Sequence, residues 1–294
     1  MNESARALLN GLIDYAGLFP PAGLPMRDAV LNYAGYQRRP DSWALGRFVV
    51  PVARLAEFEV AVGEMSERDR LGARWPLTGL LGTEVRSELS LVEAFSERYL
   101  HGGPELLSLE TRVANPGEIA SLRALVPPRY ELYLELPLTG PLEPLLEALV
   151  AVGARAKIRT GGIQAADIPP VAAVLGFLSA AARQRVPFKA TAGLHHPVRG
   201  PAPLTYQPGS ALATMLGYLN VFLAAVALWR GDRPEQAARL LEAEDRTTLE
   251  VGGESIRWVG VELRREEIAK ARREFALAVG SCSFTEPVEE IETL

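Results

Sequence analysis

The chain has 294 residues, of which 48% are hydrophobic and 23% are charged, and this ordinary globular composition excludes a disordered chain. Its 31 basic and 36 acidic residues give a net charge of −5, which argues against a general nucleic-acid binder. The single cysteine, Cys282, excludes an internal disulfide and a cysteine-cluster metal site.

Short apolar segments alternate with longer amphipathic segments along most of the chain. The predicted strands are Leu12–Phe19, Leu45–Val52, Trp75–Leu81, Glu105–Val113, Tyr130–Leu136, Arg155–Thr160, Pro187–Gly193 and Phe275–Phe284. The predicted helices between the first seven strands are Met26–Arg38, Arg54–Met65, Val85–Leu100, Gly117–Val126, Leu142–Val152 and Pro170–Arg185. Eight such repeats, at spacings of roughly 25–30 residues, favour an α/β fold, a (β/α)8 barrel of the TIM type. No Gly-x-Gly-x-x-Gly follows the first strand, which argues against an open dinucleotide-binding sheet.

The regular spacing fails between the seventh and eighth strands. There we predict an insertion, residues 200–262, within a single domain of residues 1–294. Its predicted elements are the helices Ser210–Trp229 and Pro234–Glu244 and a β-hairpin, Thr248–Val259, that turns at Gly252-Gly253. A charged helix, Arg264–Glu274, is predicted to lead into the eighth strand.

The segment Ala211–Trp229 carries no charge and is nearly as long as a membrane span. It contains polar residues, among them Asn220, and barrel elements are predicted on both sides of it. We therefore expect a buried helix or a subunit contact rather than a membrane helix.

Alternation along the fourth to seventh strands predicts an apolar face toward the helices and a polar face toward the barrel axis. The inward residues would be Ser108, Glu110, Arg112, Glu131, Tyr133, Glu135, Lys157, Arg159, Lys189 and Thr191. Charges inside a barrel are costly unless they are paired or functional. They form either a purely structural network or part of an active site at the C-terminal strand ends. The structural network would consist of Glu110, Glu131, Glu135, Arg112, Lys157, Arg159 and Lys189.

Lys157 and Lys189 are two of only three lysines among the 31 basic residues. Arginine stays protonated, whereas a lysine amine can be neutralised and can attack a carbonyl. Neighbouring parallel strands lie roughly 4.8 Å apart, so the two ammonium groups would repel and one pKa would fall. We predict that both lysines are catalytic, together with Glu110 and Glu135, one of which moves protons.

The lysine segments resemble motifs of deoxyribose-phosphate aldolase, a class I aldolase. Residues 156–162 read Ala-Lys-Ile-Arg-Thr-Gly-Gly, similar to that family's Lys-x-x-Thr-Gly strand. Residues 187–194 read Pro-Phe-Lys-Ala-Thr-Ala-Gly-Leu, similar to its Phe-Lys-x-x-x-Gly strand, and residues 278–283 resemble its Gly-x-Ser-Ser segment. The resemblance implies that Lys157 forms a Schiff base, that Lys189 lowers its pKa, and that the last segment helps to hold phosphate.

The chain also departs from that family. Glu110 stands where the family has a strand-four aspartate, and His195-His196 follow where it has a short glycine-rich phosphate loop. The insertion is not part of the pattern, and residues 14–21 have no counterpart in it. The chain is therefore expected to be an aldolase-like barrel or a member of a separate family with related strand-end chemistry.

Further residues at the predicted strand ends are candidates for substrate binding. They are Asp14, Tyr15, Arg159, Thr160, Gly161, Gly162, Thr191, Gly193, His195, His196, Gly280, Ser281 and Ser283. One of Asp14 and Tyr15 should point into the site, and His195 or His196 could shuttle protons. Cys282 should face the helices if Ser281 and Ser283 face the site. No metal or cofactor is predicted, since neither His-x-His nor His-Glu-x-x-His occurs.

These observations favour a lyase of the class I aldolase type that acts on a small aldehyde or ketone, phosphorylated or not. One alternative is a non-covalent barrel enzyme, or a ligand-binding protein, with a Lys/Arg pocket for a phosphate or carboxylate. Another is a non-enzymatic assembly protein that uses helix 211–229 for contact. The expected partner is a small-molecule substrate, with no nucleic acid or membrane, and a homo-oligomer is left open. The N-terminus lacks a basic stretch followed by a long apolar run, so we expect a cytoplasmic protein.

Overall fold

Parallel strands form the centre of the molecule in a computed structural model that describes residues 2–67 and 75–291. The strands are β1 (Ile13–Tyr15), β2 (Leu45–Pro51), β3 (Pro76–Leu80), β4 (Glu105–Arg112), β5 (Glu131–Glu135), β6 (Arg155–Arg159), β7 (Phe188–Thr191), β8 (Gly200–Pro203), β9 (Leu212–Met215), β10 (Glu250–Val251), β11 (Ser255–Trp258), β12 (Val261–Arg264) and β13 (Ala276–Ser281). Strands β1–β7 pair in sequence order, and β13 closes the barrel between β7 and β1. The predicted (β/α)8 barrel of the TIM type is confirmed.

Helices surround this barrel and alternate with its strands. They are α1 (Glu3–Leu9), α2 (Met26–Gln37), α3 (Leu55–Gly63), α4 (Val85–Arg98), α5 (Pro116–Leu125), α6 (Glu143–Val152), α7 (Val171–Gln184), α8 (Tyr218–Arg230), α9 (Pro234–Glu242), α10 (Arg265–Glu274) and α11 (Thr285–Ile291). Local sequence sets several of their ends. At the start of α5, Pro116 occupies the first turn, and the Asn115 side chain accepts the Glu118 backbone N–H at 3.1 Å.

The segment between β7 and β13 forms its own small sheets and helices. Strands β8 and β9 make an antiparallel hairpin, and β10–β12 make a three-stranded antiparallel sheet. The predicted hairpin at 248–259 is confirmed as β10 and β11, and β12 extends it. Apolar residues of this sheet, such as Ile256 and Trp258, belong to the same buried cluster as the barrel's outer face. That the segment is an insertion within one domain stays a prediction.

The prediction that a helix begins at Ser210 is wrong, because residues 212–215 form β9 and α8 begins at Tyr218. The uncharged run from residue 211 hides this boundary, since a uniformly apolar run shows neither helical nor strand periodicity. Gly217 lies directly before α8 and packs closely against the chain at Pro197. A Cβ at this position would lie 2.3 Å from the carbonyl oxygen of Pro197.

Helix α8 is covered by the chain itself, with every residue from Tyr218 to Leu228 buried. Its Phe222 ring lies 6.0 Å from that of Phe188 in β7, between centroids. The buried-helix prediction is confirmed, and α8 offers no open face for assembly. The helical stretch Ala165–Gln184 is long and apolar enough to cross a membrane by length and composition alone. Within it, Phe177 packs edge-on against Phe188 at 5.6 Å between centroids.

Candidate active site at the C-terminal end of the barrel

A cavity of about 260 Å³ lies at the C-terminal ends of the barrel strands. Its lining residues are Ala16, Phe19, Pro20, Val49, Leu80, Glu110, Lys157, Arg159, Gly162, Ile163, Asp167, Lys189, Thr191, Ala192, His195, Gly280 and Cys282. Active sites of TIM barrels lie at this end, because the loops that follow the strands converge there. Both predicted catalytic lysines are in this set.

The two lysines face each other from neighbouring strands. Lys157 of β6 is the register partner of Lys189 of β7, and both side chains are almost fully buried. Their placement follows from the alternation of β6 and β7. Ala156, Ile158 and Ala190 point outward into the apolar core.

Glu110 of β4 joins both ammonium groups. Its Oε2 lies 2.7 Å from Lys157 Nζ and its Oε1 lies 2.5 Å from Lys189 Nζ. Burial alone raises the pKa of Glu110, but the two lysines outweigh it and hold this pKa at about 2. The lysines are thus bridged by a carboxylate that is ionised at neutral pH.

A second carboxylate, Asp14 of β1, binds Lys189 from the other side. Asp14 Oδ2 lies 2.6 Å from Lys189 Nζ, and Asp14 Oδ1 accepts the Arg47 backbone N–H at 2.7 Å. Burial alone lowers the pKa of Lys189, but Asp14 and Glu110 outweigh it and raise this pKa. Lys189 is therefore held as an ammonium ion.

Glu135 of β5 is the second partner of Lys157, with 3.2 Å between Oε2 and Nζ. Its other oxygen, Oε1, lies 3.1 Å from Arg159 Nε and 3.3 Å from Arg112 Nε. Burial alone raises the pKa of Glu135, but Lys157 and the two arginines outweigh it and lower this pKa. One carboxylate is thus shared by three cations.

Glu131 is not part of this cluster, although the charge pattern predicts it there. It lies at the start of β5, where Oε2 is 2.7 Å from both Arg47 and Arg155. It pairs in register with Ser108, two residues before Glu110 on β4, and it lies four residues before Glu135 on β5. The predicted network therefore divides into two groups, at different depths in the barrel.

A larger groove, about 1190 Å³, opens beside the cavity, and we call it the β4 groove. It is lined by residues 80–86 after β3, by the segment from Thr111 to Leu125, and by Glu135, Lys157 and Arg159. Leu80, Lys157 and Arg159 line both spaces. The cavity and the β4 groove therefore share a wall at these residues.

The loops that follow β6 and β7 pack closely at two glycines. A Cβ on Gly161 would lie 2.8 Å from Gly193 Cα, and Gly193 has a positive φ of 74°. Thr160 Oγ1 donates to the carbonyl oxygens of Thr191 and Ala192 at 3.1 and 2.6 Å. Thr160, Gly161 and Gly193 thus fix the loops, although they are predicted as substrate contacts and do not line the cavity.

The predicted glycines and threonine that do line the cavity set its shape. A Cβ on Gly280 would lie 3.1 Å from Thr191 Oγ1 and 3.9 Å from Lys189 Cε. A Cβ on Gly162 would lie 2.3 Å from Asp167 Oδ2. Asp167 also lines the cavity, and sequence reasoning missed it because it ends a 3-10 helix of three residues, which is too short to show a period.

The adjacent histidines diverge. His195 lines the cavity, and burial together with the nearby His196 lowers the pKa of His195 to about 4, so its ring is neutral at pH 7. His196 turns away, and its Nδ1 lies 2.6 Å from Glu290 Oε1 on α11. Only His195 is placed to exchange a proton with a bound molecule.

The last strand does not meet the condition set for it, that Ser281 and Ser283 face the site. Gly280 pairs with Thr191, so Gly280 and Cys282 face the cavity, whereas Ser281 and Ser283 do not. Ser283 Oγ accepts the Glu286 backbone N–H at 3.3 Å and so caps the start of α11. Ser281 Oγ lies 3.4 Å from His195 Nδ1. The register shift in β13 near Ala276 changes which face each later side chain takes.

Of the neighbouring pair Asp14 and Tyr15, the first points into the site, as predicted for one of them. Tyr15 points outward, with its ring 5.2 Å from that of Tyr36, between centroids. Tyr206, from the segment between β8 and β9, reaches the rim, with its hydroxyl 3.6 Å from Cys282 Sγ. No motif in the sequence marks Tyr206.

Within residues 2–67 and 75–291, no group of three or more His, Cys, Asp or Glu side chains could hold a metal ion. Comparison with known proteins adds no assignment. No family model, curated protein or solved structure matches this chain.

Proposed function

We propose that this chain is a lyase of the class I aldolase type, in which Lys157 forms a Schiff base with a small aldehyde or ketone. One observation carries the proposal: Glu110 bridges two buried lysines at the mouth of a barrel. The lysine motifs on β6 and β7, which resemble those of deoxyribose-phosphate aldolase, agree with it. The cavity of about 260 Å³ suits a small substrate.

Lys157 is the better placed nucleophile of the pair. Both lysines are bound by two carboxylates, but those of Lys189 are closer, at 2.6 and 2.5 Å against 2.7 and 3.2 Å for Lys157. Asp14 and Glu110 raise the pKa of Lys189, and a protonated amine cannot attack a carbonyl. Lys157 borders both the cavity and the β4 groove, so a substrate can reach it from either space. We therefore assign the covalent step to Lys157 and the fixed positive charge to Lys189.

Schiff-base formation begins when the Lys157 ammonium passes one proton to Glu110 or Glu135. The neutral amine attacks the carbonyl carbon, and one amine proton moves to the carbonyl oxygen. The carboxyl then returns its proton to that oxygen, which leaves as water, and the nitrogen remains as a protonated imine. The low pKa of Glu110 depends on two flanking ammonium groups, so Glu110 becomes a stronger base once one of them is neutral.

The protonated imine then accepts electrons from carbon–carbon cleavage. A carboxylate removes the proton of a β-hydroxyl, the bond between the α and β carbons breaks, and its electron pair forms an enamine on Lys157. The released fragment leaves as an aldehyde. Protonation of the enamine carbon and addition of water then release the second product and restore the amine.

A non-covalent pocket is the second candidate. It is favoured by the ion pairing of both lysines with carboxylates, since paired cations of this kind also occur in purely structural networks. In that case Lys157, Arg159 and Lys189 would bind a phosphate or carboxylate without a covalent step.

Borohydride trapping separates the two candidates. The protein is incubated at neutral pH with short aldehydes, ketones and sugar phosphates, reduced, and mapped by mass spectrometry. We expect a reduced adduct on Lys157 and none at that site in Lys157→Arg, which keeps the charge but removes the nucleophile. Lys270, an exposed lysine on α10, measures nonspecific alkylation in the same sample. Adducts on Lys189 alone would show that Lys189 is the nucleophile. If neither lysine forms more adduct than Lys270, the covalent mechanism is refuted in favour of the non-covalent pocket.

A further inference from the structure

The two arginines beside Glu135 have donors to spare. Among the described residues, Glu135 is the only carboxylate with which Arg112 or Arg159 forms an ion pair. A guanidinium carries five N–H donors, and Lys157 shares the same carboxylate. The Arg112 side chain is 73% exposed and that of Arg159 is 41% exposed. Both therefore present positive charge to the β4 groove.

Apart from Glu135, the described charges along the β4 groove do not pair with these two arginines. Arg86 and Lys157 also line the groove, as do the carboxylates of Glu84, Glu118 and Glu135, and Lys157 is paired with Glu110 as well. Glu118 is already engaged, because its carboxylate accepts the Ala114 backbone N–H and the Asn115 side-chain amide, both at 2.7 Å. An anion between Arg112 and Arg159 thus meets two guanidinium groups that share a single carboxylate oxygen, Oε1 of Glu135.

Among the residues that the structure describes, the opposite rim of the cavity carries no pair of cationic side chains. Ser283 is used to cap α11, and Ser281 lies against His195. Phe19 and Ile163 are apolar, and the cationic residues among the cavity's lining all lie on β6 and β7. The charge distribution places an anion-binding position on the β4 side.

We propose that the substrate is an anionic oxo compound whose carboxylate or phosphate lies between Arg112 and Arg159 while its carbonyl reaches Lys157. This inference rests on the proposed function and adds the substrate class. Arg112 is then a specificity-determining residue, because its side chain contacts the anionic group of the substrate and not the reacting carbon. Bidentate hydrogen bonding of guanidinium to oxyanions supplies the recognition.

The test compares matched carbonyl compounds: pyruvate with acetone, and glyceraldehyde 3-phosphate with glyceraldehyde. The half-saturating concentration for trapped adduct at Lys157 is measured in the unaltered protein, in Arg112→Gln, and in Arg129→Gln. Arg129 is an exposed control that pairs with Glu93 on α4. We expect Arg112→Gln to raise the value about tenfold for the anionic member of one pair and leave its neutral member unchanged. A response of the pyruvate–acetone pair identifies a carboxylate as the bound group, and a response of the glyceraldehyde pair identifies a phosphate.

Two results would overturn the inference: equal changes for neutral and anionic compounds, or no change for either anion. Failure of the proposed function gives a different pattern, with no adduct at Lys157 for any compound. In that case calorimetry with pyruvate and inorganic phosphate still tests the arginines. If Arg112→Gln weakens binding and Arg129→Gln does not, the result supports the anion position. If Arg112→Gln leaves the affinity unchanged, the result refutes it.

Discussion

Glu110 is the residue on which both lysines depend. Its two carboxylate oxygens each bind one ammonium group, and the side chain is 2% exposed. Alternation along β4 predicts that Glu110 points inward, but not that it joins two lysines. The partner of Asp14 is equally unpredictable from the strand pattern, since Lys189 is 175 residues away along the chain. Sequence patterns give the direction of a side chain, whereas its partner across a barrel depends on how the strands close.

The charge of Glu110 should make the fold sensitive to acid. Its pKa falls from an ordinary 4.5 to about 2 on folding, so the stabilisation is complete above pH 4.5 and is lost as the pH falls through 2. That linkage corresponds to roughly 3 kcal/mol. Denaturant unfolding of the wild type and Glu110→Gln from pH 6 to pH 2 measures it. The difference in unfolding free energy between the two should shrink toward pH 2, and a constant difference would contradict the assignment.

Lys189 should set the pH at which Lys157 reacts. Lys189→Met removes a like-charged neighbour and leaves Asp14 and Glu110 as nearby anions, which favours the protonated form of the Lys157 amine. We expect the pH of half-maximal adduct formation to rise by about one unit or more. Lys189→Arg, which keeps the charge, should leave that pH nearly unchanged. Equal profiles for the Met and Arg variants would show that Lys189 does not act through its charge.

At the scale of elements, all eight barrel strands lie within the segments predicted for them, because apolar runs bounded by turn residues identify buried strands well. Sequence reasoning misses the short terminal helices α1 and α11, which have too few turns to show a period. It also misplaces the faces of β13, since a register shift is a property of strand pairing and leaves no mark in a single strand. Cys282 enters the cavity for this reason.

The close contact of the β6 and β7 loops makes Gly161 a sensitive position. Gly161→Ala would bring a Cβ to 2.8 Å from Gly193 Cα, so one loop must move. We expect a loss of roughly 1–3 kcal/mol of stability, measured by thermal unfolding, together with weaker trapping at Lys157. Gly176→Ala is the control, because a Cβ there meets nothing within 4 Å on α7. A Gly161→Ala protein as stable as this control would show that the loops have room to separate.

At the scale of the whole molecule, the barrel brings strands that are distant in sequence to one mouth. Charges from β1, β4, β5, β6 and β7 meet there in one ion-pair cluster. The polar inner faces of β4–β7 predict such a cluster, but its substrate depends on loop and groove shapes that no strand pattern contains. The β4 groove borders this cluster at Lys157, whereas Lys189 lines the cavity and not the groove.

The chain's three lysines allow a direct test of the central claim. Carbon-13 labelling at lysine Cε gives three NMR signals, which Lys157→Arg, Lys189→Arg and Lys270→Arg assign by their loss. A small reactive carbonyl compound at neutral pH should shift the Lys157 Cε signal downfield, to the position of a methylene carbon attached to an imine nitrogen, and leave the Lys189 and Lys270 signals in place. A shift of the Lys189 signal instead, or saturable binding that leaves all three signals unshifted, would contradict the assignment of the covalent step to Lys157.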